Sequence, residues 1–120
     1  MKYDFTLSWS KFLQIVNDVV SRFENEYKDS IVYIDFFMPT TISGAPFRNE
    51  FYIAVQKYGE YPKSYHVGYA IVYPYANSEW VADVHFFRLS EIRPSIYSSF
   101  EGLIVGKVVK EIIKLCGDVA

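Results

Sequence analysis

Cysteine occurs once in the 120 residues, as Cys116. That count excludes an internal disulfide and a zinc site built from cysteines. On the apolar side of a helical pattern, the expected role of Cys116 is that of a small buried hydrophobe. Glycine is sparse, and Gly44, Gly59, Gly68, Gly102 and Gly106 never fall into a phosphate-binding loop or a dinucleotide fingerprint. No apolar run approaches the roughly 20 residues of a membrane helix. The first five residues include Asp4 and lead to no small-residue cleavage site, so the expectation is a cytoplasmic protein without a membrane partner. An excess of one charge is also missing. The 12 Lys and Arg against 14 Asp and Glu leave a net charge of −2, which disfavours a large phosphate footprint.

Aromatic side chains are abundant. They form 19% of the chain, with 11 Tyr and 10 Phe, and they crowd into its middle. A length of 120 residues suits one domain, 1–120, and the 51% apolar content is enough to give it a core.

Ser8 is placed to cap a helix over 9–27. In it Phe12, Ile15, Val16, Val19, Val20, Phe23 and Tyr27 recur at steps of three and four, and Lys11, Gln14, Asn17, Asp18, Ser21, Arg22 and Glu24 fill the other side. Residues 2–7 before it read either as a short edge strand or as an extended tail. Period-two patterning then predicts strands over 31–38, 51–58, 65–73 and 80–88. Residues 39–50, rich in Pro, Gly, Thr and Ser, read as a long connection. Pro94 interrupts helix in the crossover over 89–97, and Ser98 with Glu101 forms a capping-box pattern ahead of a C-terminal helix. That helix carries a wide apolar surface, from Ile104 and Val105 to Leu115 and Cys116, suited to lying between the first helix and the sheet or to an oligomer contact. The predicted fold is α+β: a four-stranded antiparallel meander, with room for an N-terminal strand, flanked on one face by the two helices in the order α-β-β-β-β-α.

One face of such a sheet supplies the core. The second carries Tyr33, Phe37, Tyr52, Tyr58 and Phe87, which makes these the candidate partner-binding residues. In the last hairpin, setting Tyr73 opposite Trp80 places Ala70 against Asp83, Gly68 against His85 and His66 against Phe87. It also opens a shallow hollow at Gly68 and Ala70 and leaves Tyr65, Val67, Tyr69, Ile71 and Tyr73 on the core side. His66, Asp83 and His85 are then the candidate catalytic residues, since a histidine oriented by a carboxylate moves protons. A one-residue slip breaks this set. Two His and one or two Asp could at most form a partial divalent-metal site, but neither a His-x-x-x-His motif nor a histidine pair separated by one residue is present, so no metal and no cofactor is the expectation. The favoured expectation is an interaction protein that homodimerises or binds a protein partner through the aromatic face. Single-stranded nucleic acid or a small ligand is the first alternative, and a small metal-dependent or acid–base enzyme, nuclease-like in its use of His66, Asp83 and His85, is the second.

Overall fold

In a computed structural model of the chain, the structure describes residues 2–26, 32–37, 50–57, 63–74, 79–88 and 99–119. The elements in chain order are β1 (Asp4–Ser8), α1 (Trp9–Glu26), β2 (Val32–Phe37), β3 (Glu50–Lys57), β4 (Lys63–Pro74), β5 (Trp80–Phe86) and α2 (Ser99–Val119). The four predicted strands and both helices are present in the expected order. Tyr27, Ile31, Met38, Tyr58, Ser98 and the connections over 39–49, 75–78 and 89–98 lie outside the described residues.

The strands form one five-stranded antiparallel sheet in the order β1-β5-β4-β3-β2. Strands β2 to β5 are the expected meander, and β1 adds a fifth strand at the free edge of β5. Its alternation explains why residues 4–8 are strand and not tail. Phe5 and Leu7 are buried, and Asp4 and Thr6 are exposed. Ser8 ends the strand and starts the helix in the same residue. Its hydroxyl oxygen accepts the Lys11 backbone N–H at 3.1 Å, capping α1 without any linker.

Both helices lie on one face. Phe12, Ile15, Val16, Val19 and Phe23 of α1 are buried with Ile53, Val55, Tyr65, Val67, Ala70, Val72, Ala82, Val84 and Phe86 of the sheet. Phe86 meets Phe12 at 6.3 Å and Phe5 edge-on at 6.4 Å, so three elements share one aromatic contact in the core. The width of the apolar stripe on α2 is accounted for by two neighbours, α1 and β1, over which Val105, Val108, Val109, Ile112, Ile113 and Cys116 are buried. Burial pushes the Cys116 thiol up to about 12, so it is an inert part of this core.

One irregularity decides which side chains reach the other face. Ile53 pairs with Gly68 but its neighbour Ala54 pairs with His66, so Val67 is the extra residue of a β-bulge in β4. Alternation restarts across it. Tyr65 is buried before the bulge, Val67 within it, and Ala70 and Val72 after it. A side chain at Gly68 would overlap the carbonyl oxygen of His85 and stand 3.1 Å from the Phe86 Cα, so the close approach of β4 to β5 requires glycine there.

Candidate functional site

The β4–β5 register differs from the expected one by a single residue. Pro74, and not Tyr73, lies opposite Trp80, so Ile71 pairs with Asp83, Tyr69 with His85 and Gly68 with Phe86. The expected hollow at Gly68 and Ala70 is therefore absent. Ala70 is fully buried in the core, and Gly68 sits against the β5 backbone. Tyr69, Ile71 and Tyr73, expected on the core side, are half-buried on the opposite face beside Asp83 and His85. The physical reason is the bulge, which reverses parity between Val67 and Ala70, together with a hairpin connection whose length does not fix its register.

On this open face the register builds cross-strand rows. Tyr52, Tyr69, His85 and Asp4 form one, and Glu50, Ile71, Asp83 and Thr6 form the next. In the first row the Tyr69 and His85 rings lie 5.1 Å apart, and the His85 Nδ1 is in contact with Asp4 Oδ1. Phe87 closes against both, 5.8 Å from His85 and 6.2 Å from Tyr69. In the second row the Thr6 hydroxyl donates to Asp83 Oδ1 at 2.7 Å, and the Tyr73 hydroxyl donates to the same oxygen at 3.3 Å. Both carboxylates are thus held by neighbouring strands, which fixes their direction.

Asp4, Thr6, Tyr69, Ile71, Asp83 and His85 line a groove of about 490 Å³, within the roughly 300–1,000 Å³ common for ligand pockets. Lys2 also lines it, with its ammonium 5.8 Å from the centre of the Phe5 ring. Of the three residues singled out for proton chemistry, Asp83 and His85 are in the groove. His66 is exposed on the same face, edge-on to Tyr52 at 5.2 Å, and is not among the lining residues. The residue that sequence reasoning missed is Asp4, the actual carboxylate partner of His85. Its signal was the polar–apolar alternation of Asp4-Phe5-Thr6-Leu7, which marks a strand presenting Asp4 and Thr6 to one face. Among the described residues, no three His, Cys, Asp or Glu side chains converge as metal ligands.

The residues expected to bind a partner divide. Tyr52 and Phe87 are half-buried on the open face. Tyr33 and Phe37 hold backbone positions opposite Gln56 and Tyr52 in the β2–β3 ladder, and Tyr58 lies outside the described residues. A second, smaller cleft of about 250 Å³ opens on the helix-bearing side between Trp9, Phe51, Val72 and Trp80. There Trp9 stacks on Phe51 at 5.4 Å, and Trp80 remains 48% exposed.

None of the described helices is long and apolar enough to cross a membrane. Comparison with protein-family models, with curated proteins and with solved structures finds no match to this chain.

Proposed function

We propose that the chain is an interaction protein and that the open sheet face is its docking surface for a second copy or another protein. One observation carries this reading: Tyr52, Tyr69, His85 and Phe87 form a run of half-buried rings on the face opposite both helices. Rings of this kind supply large contact area at low entropic cost and keep a polar edge for hydrogen bonding. The same face carries Asp4, Glu50 and Asp83, which weighs against single-stranded nucleic acid, because a phosphate backbone needs cations along its path.

The test is solution mass by light scattering over a concentration series, for the wild type and Tyr69→Glu. A dimer that dissociates in the variant supports docking between copies. If the wild type is monomeric, a purified partner should lose at least about thirtyfold in affinity to Tyr69→Glu, the scale of a central aromatic anchor. A monomer whose partners bind Tyr69→Glu and Phe87→Glu as tightly as the wild type refutes the reading.

A second reading rests on the contact between His85 and Asp4. A carboxylate on Nδ1 orients an imidazole for acid–base work at Nε2, and His85 lines the groove. Under this reading His85 is the proton-transfer residue and Asp4 its positioning residue. His85→Ala should then abolish turnover in a screen of ester and phosphodiester substrates while leaving the circular dichroism spectrum unchanged. Turnover that survives His85→Ala removes this reading.

A further inference from the structure

The chemistry of the groove narrows the kind of partner that a docking face of this design accepts. Its two carboxylates stand diagonally on the adjacent strands β1 and β5, in neighbouring rows, Asp4 beside His85 and Asp83 beside Thr6. Each is held through Oδ1, so Oδ2 of each is the oxygen left to meet an incoming group. The Tyr69 ring and the Ile71 side chain lie one strand further on, on β4, across β5 from Asp4 and beside His85 and Asp83. Lys2 is the one fixed cation among the described lining residues, and Glu50 adds a third carboxylate at the far end of the Asp83 row. A groove with fixed acceptors, a ring and an excess of negative charge is complementary to a planar cation. A guanidinium can fork onto a carboxylate and stack on a ring in one pose, whereas an ammonium offers only a point charge.

We infer that the partner inserts an arginine side chain into the groove, with its guanidinium on the Asp83 carboxylate and against the neighbouring Tyr69 ring. The inference rests on the docking reading above and selects a different protein over a second copy. Face-to-face pairing of two copies would bring Asp4, Glu50 and Asp83 of each against an equally acidic surface, and like charges so placed oppose association.

The experiment is a titration of the full chain, followed by its amide resonances, with acetyl-Gly-Arg-Gly-Arg-Gly-amide and with the same peptide carrying citrulline for arginine. Citrulline keeps the shape and removes the charge. The arginine peptide should give saturable shifts at Tyr69, Ile71, Asp83 and His85. The citrulline peptide should bind at least about tenfold more weakly, and raised salt should weaken the arginine peptide alone. Asp83→Asn, which retains the side-chain shape, should lower the affinity for the arginine peptide at least about fivefold, with the core resonances of Phe12 and Val108 unmoved. Equal binding of the two peptides at these residues overturns the arginine assignment and leaves the docking face standing. A salt-insensitive dimer that buries the groove also overturns it, in favour of a second copy. Absence of any shift on the face, together with unchanged partner binding by Tyr69→Glu, removes both the assignment and the docking reading.

Discussion

Replacing Gly68 by alanine tests how tightly the groove depends on the backbone beneath it. The added Cβ falls on the carbonyl oxygen of His85 and 3.1 Å from the Phe86 Cα. Both obstacles are backbone, so no rotamer change relieves the overlap. The strands must separate locally. Forcing one extra carbon into a close-packed site costs about 1–3 kcal/mol, and a weakened ladder hydrogen bond adds about 1 kcal/mol. The expected loss is therefore roughly 2–4 kcal/mol. With an unfolding entropy of about 2.1 cal/mol/K per residue, that loss lowers the melting temperature of a 120-residue chain by roughly 8–16 °C. Urea and thermal unfolding followed by circular dichroism give both quantities. Because the separation lifts His85 away from Tyr69, the variant should also lose affinity for any ligand of the groove under conditions where it is still folded. A stability change below about 0.5 kcal/mol, the range of an ordinary surface substitution, would refute the close-approach argument.

Other perturbations address the remaining structure. Burial raises the Cys116 thiol from 9.0 to about 12, so the folded chain holds a proton that the unfolded chain releases first. That contribution is complete below pH 9 and is lost as pH rises toward 12; the wild type should lose stability across this window relative to Cys116→Ala, measured by urea unfolding at each pH. At neutral pH, a thiol reagent should label Cys116 only after unfolding. Ser8→Ala removes the acceptor for the Lys11 N–H and should cost about 1 kcal/mol, most of which Ser8→Asp should retain. Phe12→Ala should cost about 3–5 kcal/mol, because the ring is fully buried between Trp9 and Phe86. Arg22→Ala should change stability by less than about 0.5 kcal/mol, since the Arg22–Glu111 pair joins a side chain that is 56% exposed to one at the surface.

The helix α1 was legible because its periodicity and its cap agree: the stripe from Phe12 to Phe23 is the buried stripe, and Ser8 is the capping residue. The strands were legible from alternation, with bounds within about two residues of those observed. The site was harder to read, because it depends on how strands are set against one another. Alternation through residues 65–73 looks continuous in sequence, since Tyr65, Val67, Tyr69, Ile71 and Tyr73 all fall on one parity. The bulge at Val67 is therefore silent except for Gly68, an isolated glycine inside a strand pattern and the conventional mark of a bulge or close approach. Asp4 could not be matched to His85 either, because an edge strand chooses its neighbour through tertiary packing. Phe5 and Leu7 dock β1 onto the core beside Phe86, and that docking brings Asp4 to the groove.

The pairing of Asp4 with His85 also sets a timetable for the chain. The strand made first must bond to the strand that is made last in the sheet, 81 positions later. At about 5–20 residues per second of synthesis, β1 waits roughly 4–16 s for β5 to be made. The β3–β4–β5 meander closes short loops and can assemble at once, whereas the β1 contact closes a loop of some eighty residues and bears the larger entropic cost. The open-face groove is therefore among the last features to form. In a refolding experiment, fluorescence reporting on the core should recover before any probe placed at Asp4, and a nascent chain stalled before Val84 should have no groove at all.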